Sequence, residues 1–156
     1  MLGVEKATGT IGSGFHDNIA GLCSEKLTDN IQAVRAFVRS FFVKQPPADV
    51  FETLLAFNMV VPPAVRLALV SRVIDRDDIM RALTVPVLVT RGEKDKLILA
   101  NHTAHLLSCI PRALASAYTD AGHVPFLEDP ERFNQELATL ARQKTGQGTR
   151  TNEKQP

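Results

Sequence analysis

The residues in this chain best suited to chemistry are His123 and an acid that precedes it. His123 lies in the stretch Asp120-Ala121-Gly122-His123-Val124-Pro125-Phe126-Leu127-Glu128-Asp129-Pro130-Glu131-Arg132-Phe133, on a glycine-containing turn between an apolar, strand-like run and a helical pattern. An imidazole held on such a turn can serve as a general base near neutral pH. Asp95 follows another apolar run, 85–90, on the loop Arg91-Gly92-Glu93-Lys94-Asp95. A carboxylate earlier in the chain than its histidine, each at a strand end, can orient the imidazole and stabilise imidazolium during nucleophilic catalysis. Glu93 offers a competing carboxylate two residues earlier.

Other reactive side chains read as structural. His102 and His105 stand three apart on one helical pattern without further ligands nearby in the sequence, so surface histidines are expected rather than metal ligands. Cys23 and Cys109 are far apart and neither belongs to a C-x-x-C pair. They are expected to be small core residues, not a disulfide or a thiolate site. No metal and no cofactor is therefore predicted. His16, in a glycine-rich stretch, has no assignable role, and Glu128 and Asp129 are expected to start the last helix, where acids complement its dipole. The series Phe37, Phe41, Phe42, Phe51 and Phe57 is expected to pack a core rather than line a pocket.

The elements that must position Asp95 and His123 are a pair of strands. The run 85–90, Val-Pro-Val-Leu-Val-Thr, lacks polar alternation until its end, as in a strand buried on both faces of a parallel sheet. Helical periodicity at 100–109, a second strand at 113–119 and a closing helix at 130–143, with Phe133, Leu137 and Leu140 inward, complete an α/β alternation with right-handed crossovers. Both candidate residues then emerge at the carboxyl edge of one sheet and converge on one crevice.

Before this core stands an all-helical block. Ile31, Val34, Phe37, Val38, Phe41 and Phe42 recur at three- and four-residue spacing and predict an amphipathic helix over 28–43, capped by Thr28 or Asp29. Pro46-Pro47 and Pro62-Pro63 each end one helix and prime the next, the third running through Val65, Leu69, Val70 and Val73. A short segment with an acidic start, 75–83, closes the block. The predicted organisation is a loop-rich N-terminal stretch (1–27), a helical cap-like region (28–83), an α/β core (84–143) and a disordered polar tail (144–156).

Composition narrows the partners. The 156 residues suit one domain, and 44% hydrophobic content builds a core without requiring a membrane. A net charge of +1, from 18 basic and 17 acidic residues, supplies no field for nucleic acid or an anionic bilayer. The first residues lack the basic region and apolar core of a signal peptide, so a cytoplasmic location is expected.

The two quoted stretches, 85–95 and 121–133, resemble the C-terminal portion of α/β-hydrolase fold proteins, particularly small esterase-like and haloperoxidase-like members. The resemblance implies a partial α/β-hydrolase fold: two C-terminal parallel strands with flanking helices and a helical cap. It implies Asp95 as triad acid, His123 as triad base, and the helices between 28 and 83 as the cap over the active site. In that family the nucleophilic serine sits on a G-x-S-x-G strand-to-helix turn. This chain contains no such motif. Residues 11–15 read Ile-Gly-Ser-Gly-Phe, with the glycines at the wrong offsets and no apolar strand before them, so Ser13 is read as a loop serine. The half of the fold that carries the nucleophile, and with it part of the oxyanion hole, is expected to be missing.

The resulting expectation is a hydrolase of esters or similar acyl compounds represented by its acid–base portion and inactive alone. The alternative is a non-catalytic binding module that uses the apolar cap surface. Expected partners are a small apolar or ester-like molecule, and either a second copy or a complementing N-terminal half, because two apolar strands alone leave an edge to be covered.

Overall fold

The computed structural model describes residues 9–72 and 75–145. The expected tail beyond Thr145 and the contribution of Val73 to the third helix fall outside these residues.

The stretch read as loop is partly helical. Two single-turn helices, α1 (Ser13–His16) and α2 (Ile19–Leu22), precede the long helix α3 (Leu27–Arg39). Their glycines hide them from any periodicity count, and they are held by tertiary contacts. The amide of Asn30 on α3 donates to the carbonyls of Gly21 and Leu22 at 3.2 and 3.0 Å. A Cβ on Gly21 would press on Ala33, so glycine permits this close crossing.

α3 starts one residue before the expected cap. Lys26 occupies the cap position without a side-chain hydrogen bond, and Asp29 sits in the first turn, paired with Lys26 at 3.1 Å. The helix stops at Arg39, leaving Phe41 and Phe42 beyond it. Proline at 47 and 63 introduces α4 (Ala48–Met59) and α5 (Pro63–Ser71), and the acidic segment becomes α6 (Asp77–Arg81). Leu22, Val34, Val38, Phe51 and Leu55 form the buried centre of this helical block. Phe51 is packed as expected, whereas Phe57 is 68% exposed.

The α/β portion consists of β1 (Leu88–Gly92), α7 (Ala100–Cys109), β2 (Leu114–Tyr118), α8 (Pro125–Glu128) and α9 (Pro130–Thr145). β1 and β2 pair in parallel, with Leu88 opposite Leu114 and Gly92 opposite Tyr118. Pairing begins three residues later than the apolar run at 85 suggests. The strands are not buried on both faces among the described residues: in β1 only Val89 and Gly92 are buried and the other three residues are half-buried, and Leu114 on β2 is 50% exposed. β2 is anchored to α9 by a polar network. The hydroxyls of Ser116 and Tyr118 each donate to Glu136 at 2.8 Å, and Arg132 donates to Glu136 while lying over the Tyr118 ring at 3.9 Å.

No single helix among the described residues is long and apolar enough to cross a membrane. Both cysteines are unpaired; Cys109 is buried as expected, while Cys23 is only partly buried. His102, expected at the surface, is buried, and His105 is half-buried.

Candidate active site

The loops after β1 and β2 leave the same end of the sheet and are tied together. The amide of Glu93 donates to the Tyr118 carbonyl at 2.9 Å and that of Lys94 to the Ala121 carbonyl at 3.1 Å. This contact needs glycine at the end of β1: a Cβ on Gly92 would collide with the carbonyls of Gly122 and Ala121. The consequence is a fixed distance between the residues that follow.

Those residues are Asp95 and His123. Nδ1 of His123 hydrogen-bonds Oδ2 of Asp95 at 2.9 Å. The other carboxylate oxygen accepts the amides of Leu97 and Ile98 at 2.7 and 3.1 Å. The Asp95 side chain is 7% exposed and that of His123 35% exposed, so the acid is enclosed and the base faces out. Burial alone would push the Asp95 carboxyl up; the hydrogen bond and charge of His123, with the two amide donors, outweigh it and hold the carboxyl below its usual range. Glu93, the competing acid, points its backbone at Tyr118 and its residue is exposed.

The loop bearing Asp95 is also stitched to the N-terminal stretch. Ile11 and Ile98 form an antiparallel bridge, the Gly12 amide donates to Leu97 at 2.8 Å, and the Gly14 amide to Lys96 at 2.8 Å. A Cβ on Gly12 would overlap the Lys96 carbonyl. Gly12 and Gly14 therefore serve close packing against the acid's loop, and Ser13 between them is exposed at the start of α1. His123 bonds to Asp95 and not to Ser13. His16 is exposed on α1 and takes no part.

The turn bearing His123 is suspended from the end of α3. The His123 amide donates to the Phe41 carbonyl at 2.8 Å, and the Phe41 ring lies 5.6 Å from the imidazole. Phe41 in turn packs edge-on against Phe37, and Phe37 against Phe15, at centroid distances of 4.9 and 6.0 Å. Glu128 completes the suspension. One of its oxygens accepts the Gly122 amide at 2.5 Å and the other the Val43 amide at 2.8 Å. Glu128 closes α8 and does not start the last helix; Asp129 takes that place, accepting the Arg132 amide at 3.2 Å. The spacing of Glu128 from Val43 in the chain carries no local signal, so its clamp is visible only in three dimensions.

The arrangement presents an imidazole whose Nδ1 is occupied by a buried carboxylate. Its Nε2 has no hydrogen-bond partner among the described residues. Such a ring can accept a proton from a nucleophile and return it to a leaving group. A cavity of about 300 Å³ is lined by Tyr118, Asp120, Ala121, Glu128 and Arg132, and neither Asp95 nor His123 is among its lining residues.

No family model matches this sequence, and no curated protein matches it. Solved structures do. A Burkholderia cenocepacia protein assigned as an aryl esterase superposes with a TM-score of 0.83 at 30% identity, over 88% of this chain and 51% of its own. An esterase from a Rhodococcus species gives 0.78 at 31% identity, over 89% and 51%. A bromoperoxidase from Bacillus anthracis shares the fold, with a TM-score of 0.69 at 12% identity, over 82% and 48%. The chain spans about half the length of these relatives. With its parallel strand pair, its helical block and the carboxylate–imidazole pair at one sheet edge, the chain carries a part of the α/β-hydrolase fold that these enzymes share.

Proposed function

We propose that this chain is the acid–base portion of a hydrolase of esters or similar acyl compounds, with Asp95 orienting His123 and His123 acting as general base. The observation that supports this reading most is the 2.9 Å bond from Nδ1 to a carboxylate that two backbone amides also hold. In the corresponding reaction Nε2 removes the proton of a hydroxyl nucleophile as it adds to the acyl carbon. The imidazolium, stabilised by Asp95, then protonates the departing alkoxide, and water repeats the sequence on the acyl intermediate.

The hydroxyl must come from a group other than Ser13, whose neighbours pack on the Lys96 backbone. The isolated chain is accordingly inactive. Incubation with a serine-directed fluorophosphonate, alongside an activated-ester assay, tests this. No covalent label and no turnover sensitive to His123→Ala is expected; labelling that disappears in Ser13→Ala would overturn it. A cytoplasmic location fits the two unpaired cysteines.

A second reading, a non-catalytic interaction module, is favoured by the outer surface of α4 and α5. Phe57, Val60, Leu67 and Leu69 are 68, 78, 53 and 50% exposed there. Saturable binding of a ligand or partner that survives His123→Ala would favour this reading over the first.

A further inference from the structure

Away from the sheet edge, α6 and α7 bring together three side chains of metal-ligating type. Asp77 opens α6; His105 and Cys109 lie one turn apart on the same face of α7. Nε2 of His105 is 2.8 Å from Oδ1 of Asp77 and 3.5 Å from Sγ of Cys109, and the three donor atoms all lie within 4.8 Å of one another. In a tetrahedral zinc site with bonds of about 2.0–2.3 Å, donor atoms stand roughly 3.3–3.8 Å apart. The nitrogen–sulfur pair already has that separation. The nitrogen–oxygen pair is closer because a proton bridges it, and exchanging that proton for an ion requires an opening of only about 0.5–1 Å.

The surroundings suit a bound dication. Cys109 is fully buried beside Met80 and Ile110, with Leu106 and Val87 packed around them, so charges there interact in a poorly screened environment. Asp77 and His105 keep 18 and 25% of their side chains exposed, which leaves a route for an ion and room for a water ligand. Arg81 donates to the other Asp77 oxygen, Oδ2, at 2.9 Å, an outer contact that aims Oδ1 at His105. Its guanidinium also stands 3.8 Å from Sγ. The Arg81 side chain is 61% exposed and can turn outward when a cation enters. One carboxylate and one thiolate then neutralise the ion.

We propose that Asp77, His105 and Cys109 form a site for a divalent metal of zinc type, with water as fourth ligand, that pins the last helix of the cap-like block to α7. The oxygen, nitrogen and sulfur donor set suits a borderline-soft ion and not magnesium or calcium. The signal in the sequence is the four-residue spacing of His105 and Cys109; the expectation of no metal rests on pairing His105 with His102 and on the lack of a C-x-x-C pair, and Asp77 joins the cluster only in three dimensions.

The test uses the whole chain, stripped with a chelator and titrated with Co²⁺ and then Zn²⁺. Expected are a thiolate-to-cobalt charge-transfer band that saturates at one equivalent, its loss on adding Zn²⁺, and a thermal midpoint that rises with Zn²⁺. C109S should abolish the band, H105Q and D77N should weaken binding at least tenfold, and C23S and H16Q should change neither. If C109S does not fold, H105Q and D77N, at partly exposed side chains, carry the test. A wild-type protein without the sulfur band, a band lost in C23S, or affinity unchanged in both H105Q and D77N would overturn the proposal.

Discussion

The carbonyl of Phe41 accepts the backbone N–H of His123 at 2.8 Å, so the turn that carries His123 hangs from the end of the first long helix of the helical block. The strand order alone would place His123 at the sheet edge; this bond fixes the backbone of its turn, and the Phe41 ring packs beside the imidazole that Asp95 holds through Nδ1.

Asp95 should make stability sensitive to acid. Its carboxyl is held below the usual range in the folded chain, so its contribution is present above the unfolded pKa, near about 4, and is lost as pH falls through the lower folded value. Urea midpoints measured from pH 7 to pH 2 should decline below about pH 4. Asp95→Asn should flatten that part of the decline, and Asp95→Ala should lower stability at pH 7 by about 1–3 kcal/mol because the Leu97 and Ile98 amides lose their acceptor.

Glu128 is expected to act as a clamp through both oxygens. In Glu128→Gln one acceptor becomes an amide donor facing a backbone N–H, at a cost of about 1–3 kcal/mol. Amide hydrogen exchange should speed up at Gly122 and Val43 together, since they share the carboxylate. Faster exchange at one and not the other would show that the two contacts act separately.

Gly92→Ala should part the two loops that follow β1 and β2. The added Cβ meets backbone carbonyls of Ala121 and Gly122 and no flexible side chain, so strain on the order of 3 kcal/mol is expected. A denaturation midpoint within error of wild type would contradict the close approach.

Two strands with an exposed outer face and unpaired edges should drive association. Leu114 is half-exposed on β2, so sedimentation should show concentration-dependent self-association that Leu114→Lys reduces. A strictly monomeric species that unfolds cooperatively at high temperature would contradict this.

Much of this architecture is written in local patterns. The spacing of Val34 and Val38 marks the buried face of α3, Pro46-Pro47 and Pro62-Pro63 mark the next two helices, and the apolar runs before Asp95 and His123 mark the parallel strands. The rest depends on partners distant in the chain. Val85-Pro86-Val87 looks like strand, yet register starts at Leu88, where the ladder finds Leu114. Phe41 continues the helical period but lies past the helix end, where its carbonyl is free for His123. α1 and α2 are too short to show a period, and Glu128 reads as a helix-start acid until Val43 and Gly122 are seen around it.

Whether Asp95 and His123 form a triad-type acid–base pair is decided by nitrogen-15 NMR of the His123 imidazole at pH 8 in wild type and Asp95→Asn. Expected are a ring protonated at Nδ1 and hydrogen-bonded to the carboxylate, with Nε2 bare, and loss of that tautomer in the variant. A ring protonated at Nε2 in the wild type, or one whose tautomer does not respond to Asp95→Asn, would contradict it.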